Sequence, residues 1–323
     1  MVNSHRSFAD RLRSTYPVIV DGAINTELAR KGLRFSSRQW LTANLDAPRV
    51  VGDIHRSYAK AGAEVHIANS FSAARHALEP EGLGDFYELI NREAVRLCRE
   101  AVETAASHEQ WIAGSISSYA SGFDPRHLPP LETLSRNCSE QAALLVDAGC
   151  DLLALEMLFD VETAVAMIEA VAAAGVPVCV GLVCTVNAAG DMMLDVQSDA
   201  KSGAAAVRPL HSALPEIIAA LAKVATPIVA VMHCATAHTA GAIEAIAAHW
   251  DGLIGAYPNV GMRDSSGTWC TSEAQSPVVF GSEALQWSRS GATLIGGCCG
   301  SEPAHIQALV SALQADTSSG LRS

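Results

Sequence analysis

Positive charge is scarce in this chain. Lysine and arginine together number 22 against 34 acidic residues, for a net charge of −12. No basic surface is available to displace counterions from a nucleic acid or to hold an anionic membrane, which leaves small molecules as the expected partners. A long apolar run is missing too. The longest, Val171 to Cys184, is interrupted by Gly175, Pro177 and Gly181, whereas crossing a bilayer takes about 20 residues. The N-terminal stretch MVNSHRSFADRLRSTYP has no apolar core of the kind a secretory signal carries, so the expected location is the cytoplasm. There is no H-E-x-x-H, no C-x-x-C and no phosphate loop, which excludes metalloprotease, thioredoxin-like and nucleotide-hydrolase chemistry. The nine cysteines are odd in number and thinly spread, a usage that argues against a disulfide framework and for thiol or metal chemistry.

What the chain does have is apolar substance and regular alternation. Over 323 residues, 49% are hydrophobic and 17% charged, enough to bury a large core. Short β-branched runs alternate with longer helical stretches: Val18 to Val20, Val65 to Ala68, Trp111 to Gly114, Leu152 to Leu155, Val178 to Val183, Pro227 to Met232, Leu253 to Tyr257 and Thr293 to Ile295. Pro48 opens a helix that stops at Gly62, and Gly149 and Gly175 close two others. Eight strands with intervening helices predict a single (β/α)8 barrel over residues 1–323. A doubly wound sheet would more often show five to seven strands and a G-x-G-x-x-G first turn, which VIVDGAINTEL lacks. Residues 1–15 and 316–323 are expected to be flexible termini. Asn187 to Ser212 and Gly261 to Ser276 read as long βα loops, the rim where barrels bind substrate.

The residues expected just past the strand ends are Asp21, Asn69, Ser115, Glu156, Cys184, Cys234, Asn259 and the pair Cys298 and Cys299. Asp21 alone reads equally well as a helix N-cap, but Glu156, directly after the apolar run LLAL, is poorly placed for a solvated face. Free cysteine is usually a small core hydrophobe, and Cys98, Cys138, Cys150 and Cys179 are read so. Cys184 and Cys270 stay open. Cys234 follows the sixth strand, and Cys298 and Cys299 in IGGCCG follow the eighth. Strands two apart lie about 10 Å from each other, a gap that cysteine side chains around one zinc can bridge once Gly296 and Gly297 let the backbone turn. Three thiolates and one open position describe a catalytic zinc site. Because consecutive strand residues face opposite ways, His233 is expected in a supporting position or packed outward. His238, nearby in HCATAH, is a further imidazole to place.

Over nearly its whole length the chain resembles the zinc-dependent homocysteine S-methyltransferases, most closely those that use S-methylmethionine. The resemblance runs from DGAINTELARKG at Asp21 through HRSYAKAGAEVHIANSFSA, DLLALE, the HC at Cys234 and YPNVG at Tyr257 to GGCCGSEPAHI at Gly296. It implies a single (β/α)8 barrel with zinc on Cys234, Cys298 and Cys299, and the homocysteine amino group held by Asp21 and Glu156. The substrate sulfur takes the fourth zinc position and attacks a sulfonium methyl, from S-methylmethionine or S-adenosylmethionine, to give methionine. Asn259 is a further expected substrate contact, and Trp40 and Tyr119 offer aromatic faces to a cationic donor. The chain differs from the family pattern in having Asn25 for a glycine, His233 for an asparagine, SSYASGF from Ser117 for G-P-Y-G-A, and GLVCT for a serine-rich fifth-strand end. These differences surround the substrates and keep open the same chemistry on another thiol or selenol acceptor or another donor. A non-catalytic zinc- or homocysteine-binding protein, or an unrelated barrel with structural cysteines, would be separated from the leading reading by turnover and by zinc content.

Overall fold

The computed structural model describes residues 7–33, 38–106, 108–119, 128–195, 207–263, 269–270 and 275–320. Its centre is a barrel of eight parallel strands: β1 (Val18–Ile19), β2 (Val65–Ile67), β3 (Trp111–Ser117), β4 (Leu152–Leu158), β5 (Val178–Val186), β6 (Pro227–Ala235), β7 (Leu253–Asn259) and β8 (Leu294–Ile295). Each of β2 to β7 pairs with the next strand, β8 pairs with β1, and the single pairing Val20–Val65 closes the ring. This is the (β/α)8 architecture that the strand count predicts.

Alternation along the strands builds two cores. Val18, Val20, Val65, Ala113, Leu152, Ala154, Ile228, Ala230 and Leu294 fill the barrel interior, while Ile19, Ile112, Leu153, Val180 and Val229 meet the helices outside, as a period of two requires. The helices start and stop on local signals. Pro48 occupies the first turn of Pro48–Ala61, and Gly62 ends it at φ +100°, a left-handed conformation glycine adopts without cost. Asp160 caps Val161–Val171 by accepting from the Thr163 N–H at 2.8 Å.

The floor of the barrel is sealed by residues placed in a flexible terminus by the sequence reading. Phe8–Arg11 forms a helical turn, the Phe8 ring packs 5.7 Å from that of Trp111, and Arg11 pairs with Glu64 at 2.6 Å. At the other end of the chain, the helix Pro303–Gly320 covers residues 316–320. Residues 1–6 and 321–323 lie outside the described residues. With the floor plugged, the open end of the barrel is the C-terminal one.

That end is built from longer strands than the apolar runs indicate. β3, β4, β5, β6 and β7 each continue two or three residues further, so Ser115, Glu156, Cys184, Cys234 and Asn259 sit within their strands and not after them. The sequence signal ends where polar residues begin, but the interior of a barrel mouth accepts polar side chains without ending the ladder. Asn187 to Ser212 is likewise less loop-like than expected. Met192–Leu194 folds back antiparallel on β5, Arg208–Pro209 pairs with it, and a helix starts at Leu210. In the second expected loop, Met262–Arg263 pairs with Trp269–Cys270; residues 196–206, 264–268 and 271–274 lie outside the described residues. Among the described residues no helix is long and apolar enough to cross a membrane.

Candidate active site

The backbone around the cysteine pair is fixed by its neighbours on both sides. Gly296 N–H donates to Ala256, Gly297 to Asp21 and Cys298 to Pro258, while Cys299 accepts from Val260 N–H at 2.8 Å. The two glycines serve by leaving space, and not, as the sequence reading had it, by turning the chain. A Cβ at Gly296 would lie 2.7 Å from Val20 Cβ, and one at Gly297 2.5 Å from Ser301. The left-handed turn comes one step later, at Gly300, with φ +82°.

Three soft ligand atoms meet here. Cys298 Sγ lies 3.9 Å from Cys299 Sγ and 3.8 Å from His233 Nδ1, and the three ligand atoms all lie within 4.8 Å of one another. The Cys298 thiol is pushed well above its ordinary range, first by its contact with Cys299 and then by burial. The Cys298 sulfur is therefore a thiol until something binds it and releases the proton.

Cys234 is placed differently. Its sulfur is buried among the residues outside the barrel, 3.3 Å from Thr239 Oγ1 on the helix Thr236–Ala247. The cause lies in the ladder between β6 and β7. Met232 pairs with Tyr257 and Ala235 with Asn259, so His233 and Cys234 together oppose the single residue Pro258, whose own carbonyl is turned to β8 and accepts from Cys298 N–H. The result is a β-bulge, with His233 at φ +50°. The extra residue resets the alternation, bringing His233 inward to Cys298, where the sequence reading had it supporting or packed outward, and turning Cys234 out. Asn259 Nδ2 holds this arrangement through the His233 carbonyl at 3.3 Å, and its own Oδ1 is buried with no partner.

β4 has a similar irregularity. Its register with β5 shifts between Leu155 and Leu158, Met157 takes φ +62°, and the Met157 N–H points at the Met232 sulfur, 3.0 Å away. Glu156, immediately before it, faces the barrel interior and accepts from the Ser115 hydroxyl. Burial pushes this carboxyl up to about 7; Ser115 opposes the shift, Cys299 adds to it and His233 reduces it. Left-handed non-glycine residues cost about 1–2 kcal/mol each, and both of these stand beside the groups that face the mouth.

The remaining candidates divide. Asp21 is almost fully buried, but on the helix side, where its Oδ2 accepts from Ile67 N–H at 3.1 Å and lies 3.7 Å from His66 Nδ1 and 4.0 Å from His55 Nδ1. Since Val18 and Val20 face inward, Asp21 falls on the outward phase, and the expectation that both carboxylates open on one mouth is corrected accordingly. Burial raises the Asp21 carboxyl well above its ordinary range, and Glu156 is near enough to raise it further. Trp40 packs in the outer core and Tyr119 in the inner one. Tyr119 stands with two rings the sequence reading missed, Phe71 at 6.2 Å and Phe159 at 5.9 Å, which follow β2 and β4 as Tyr119 follows β3. Asn69 donates to Asn44 and is structural. Cys184 is buried in the outer core, Cys270 is exposed and His238 is half-buried on a helix. Of the SSYASGF segment, Ala120 to Phe123 lie outside the described residues.

Known proteins share this arrangement of strands. The metallated crystal form of the Escherichia coli homocysteine methyltransferase MmuM has the same fold, with a TM-score of 0.73 and 24% identity over 94% of this chain and 98% of that one. Two curated relatives align nearly end to end: the homocysteine S-methyltransferase YbgG of Bacillus subtilis, 28% identical over 91% of this chain and 93% of its own length, and the homocysteine S-methyltransferase of Escherichia coli, 27% identical over 90% and 94%. The family model for homocysteine S-methyltransferase matches residues 18–313. The chain belongs to the homocysteine S-methyltransferase family.

Proposed function

We propose that this methyltransferase moves a methyl group from a sulfonium donor, S-methylmethionine or S-adenosylmethionine, to the sulfur of homocysteine, giving methionine, with zinc at the Cys298 and Cys299 pair. The observation that carries the reading is the meeting of two thiols and an imidazole beside the buried carboxyl of Glu156 at the open end of the barrel. Two sulfurs and a nitrogen suit zinc, whose catalytic sites use three protein ligands and leave one position open. The third ligand comes from the adjacent pair His233 and Cys234, of which the family resemblance implies Cys234. Bound there, zinc supplies the substrate sulfur as a thiolate at neutral pH, although a free thiol has a pKa of about 8.5.

The chain's own residues do the rest by placement. In the reaction the sulfur of homocysteine forms a bond to the methyl carbon, the bond from that carbon to the sulfonium breaks with its electron pair, and the donor leaves as a neutral thioether. The thiol proton is released on binding, so no side chain need deliver one to the leaving group. Glu156, ionised opposite the substrate ammonium, fixes the amino-acid end, and the charge-assisted hydrogen bond orients the sulfur toward the donor. Phe71, Tyr119 and Phe159 form an aromatic wall to which the positive donor is attracted and from which the neutral product is more readily released. Asp21, facing His55 and His66, serves by tying β1 to β2 through Ile67. Its assignment to the substrate ammonium rests on the resemblance alone.

The test is methionine formation followed by mass spectrometry, using zinc-loaded, reduced protein and four separate donors: S-methylmethionine, S-adenosylmethionine, betaine and methyltetrahydrofolate. Turnover is expected with a sulfonium, and Cys298→Ser is expected to lose both zinc and turnover. Full activity in that variant would sink the reading. Zinc binding without methionine from any donor would move the acceptor to another thiol or selenol, or the role to binding alone.

A further inference from the structure

We infer that Thr26 and Arg30, on the helix Ile24–Arg30, are positioning residues for the metal: they hold the Gly300 peptide and, through it, the sulfur of Cys299. The inference rests on the zinc reading above and adds the groups that keep the cysteine pair in place.

The pair stands on a segment with no ladder of its own. β8 ends at Ile295 and the next helix begins at Pro303, so the backbone groups between them must be satisfied from elsewhere. On one side β7 and the residue after it supply partners. Pro258 O accepts from Cys298 N–H, and Val260 N–H donates to Cys299 O, both at 2.8 Å. On the other side the partners are side chains. Thr26 Oγ1 accepts from Gly300 N–H at 3.2 Å, and Arg30 donates to Gly300 O at 3.1 Å. Four positions apart, the two side chains share one face of their helix and take both polar groups of a single residue.

Gly300 is confined on its remaining side as well. The Trp269 indole N–H donates to Val260 O, and a Cβ at Gly300 would run into both. Arg30 is itself fixed, bridging Glu27 at 2.5 Å and Glu302 at 3.0 Å, which a planar fork of donors can do and a single ammonium cannot. The two carboxylates answer its charge, so what Arg30 gives the segment is direction. The same corner of the fold holds Cys298: Ser301 Oγ donates to Cys298 O at 2.7 Å and accepts from Ala23 N–H at 3.0 Å, Ala23 being the residue just before the helix. Ligands on an irregular segment keep their spacing only while that segment is held, and loss of such outer partners costs about 10- to 100-fold in metal affinity.

The test is the zinc affinity of the reduced, substrate-free protein, read by competition with a chromophoric chelator, together with amide hydrogen exchange of the metal-free protein. Arg30→Met is expected to bind zinc about 10- to 100-fold more weakly and to speed exchange around residues 298–301, while peptides from β4 and β5 keep their wild-type rates. Thr26→Val is expected to weaken zinc in the same direction, and Thr26→Ser, which keeps the hydroxyl, to match wild type. Arg99→Met removes a comparable bond, to Gly149 O at the opposite end of the barrel, and is expected to leave zinc affinity unchanged. Wild-type zinc affinity in Arg30→Met would overturn the inference, because the bonds would then serve the fold alone. Weaker zinc accompanied by faster exchange throughout the barrel would overturn it too. Should Arg30→Met fail to fold, the two Thr26 variants decide on the same readout, and equal affinities would overturn it. Wild-type protein that holds no zinc after reconstitution would overturn the zinc reading and this inference with it, a result distinct from a zinc-loaded wild type matched by its variants.

Discussion

Glu156 and Asp21 are two carboxylic acids at the ends of parallel strands of one barrel, both almost fully buried and both raised in pKa chiefly by that burial. Their surroundings nevertheless give them different work. Glu156 falls on the inward phase of β4, beside the Ser115 hydroxyl, Cys299 and His233, and is pushed to about 7, close enough to neutrality that an arriving ammonium decides its charge. Asp21 falls on the outward phase of β1. It is closed in by helix Pro48–Ala61 and β2, with Ile67 N–H as donor and two imidazoles at 3.7 Å and 4.0 Å. Burial drives those imidazoles down, His55 to about 3 and His66 to about 4. His66 Nε2 meets Gln110 Oε1 at 2.5 Å, which assigns the ring proton to that nitrogen and leaves Nδ1 as a lone pair toward Asp21. An acid held toward its neutral form between neutral bases is suited to a structural role, whereas an acid poised near neutrality and facing the barrel interior is suited to meeting an ammonium, the role proposed for it above. One step in strand phase separates the two.

The sharpest way to break this contrast is to remove each acid in turn. Truncating a buried, hydrogen-bonded charge pair costs about 2–5 kcal/mol, so Glu156→Ala is expected to lower kcat/KM for homocysteine by on the order of a hundredfold or more, mostly through KM. Asp21→Asn is expected to lose roughly tenfold or less, through the looser β1–β2 edge. Steady-state kinetics in homocysteine decides, and equal losses would return Asp21 to the mouth. The pH profile sharpens the same point. Below about 7 the empty site holds Glu156 protonated, so kcat/KM for homocysteine rises with pH through that region, and Glu156→Gln removes the step. Stability runs the other way. A carboxyl raised from 4.5 to about 7 contributes stability to the empty protein below pH 4.5 that is lost as pH climbs through 7, about 3 kcal/mol in all. At pH 8, Glu156→Gln is therefore expected to melt a few degrees above wild type while being nearly inactive.

The other side of the contrast is tested by acid. His55 and His66 titrate in the unfolded chain near 6.5 but in the folded one only at about 3 and 4. The stability they lend is present above pH 6.5 and is drained as pH falls through that window, by a few kcal/mol each. Replacing His66 with Leu keeps the Asp21 bond to Ile67 and removes one of the two losses, so the midpoint of acid unfolding, followed by circular dichroism, is expected to move to lower pH. An unchanged midpoint would mean that the imidazoles are already charged in the fold.

Much of this was legible from residues alone. The eight strands, the glycine-ended helices and the convergence of Cys298 and Cys299 with Glu156 on one barrel mouth follow from alternation and spacing, because a period of two is robust along an uninterrupted strand. The misplacements share one cause. Asp21 was credited to the mouth without following the phase from Val18 and Val20, and the His233–Cys234 pair was phased as though β6 had no bulge. Pro258 does not signal this bulge, since its backbone is turned to β8, where its carbonyl accepts from Cys298 N–H. Phe71 and Phe159 were missed for another reason. Each is one apolar residue after a strand, and only the closed barrel brings three consecutive strand ends together as a wall.

That wall supports the smallest of the expected effects, and the one that links the contrast to the donor. In the function proposed above, Glu156 would select one substrate by charge, while Phe71, Tyr119 and Phe159 would select the other by the attraction of a cation to ring faces, about 0.5–2 kcal/mol for one interaction. Tyr119→Leu is thus expected to raise KM for a sulfonium donor roughly 2- to 30-fold and to leave KM for homocysteine unchanged. Tyr119→Phe, which keeps the ring, is expected to behave like wild type. A donor KM that follows the hydroxyl and not the ring would show that Tyr119 acts by hydrogen bonding. A homocysteine KM that rises in step with the donor's would show that the aromatic and carboxylate sides of the mouth form one pocket and not two.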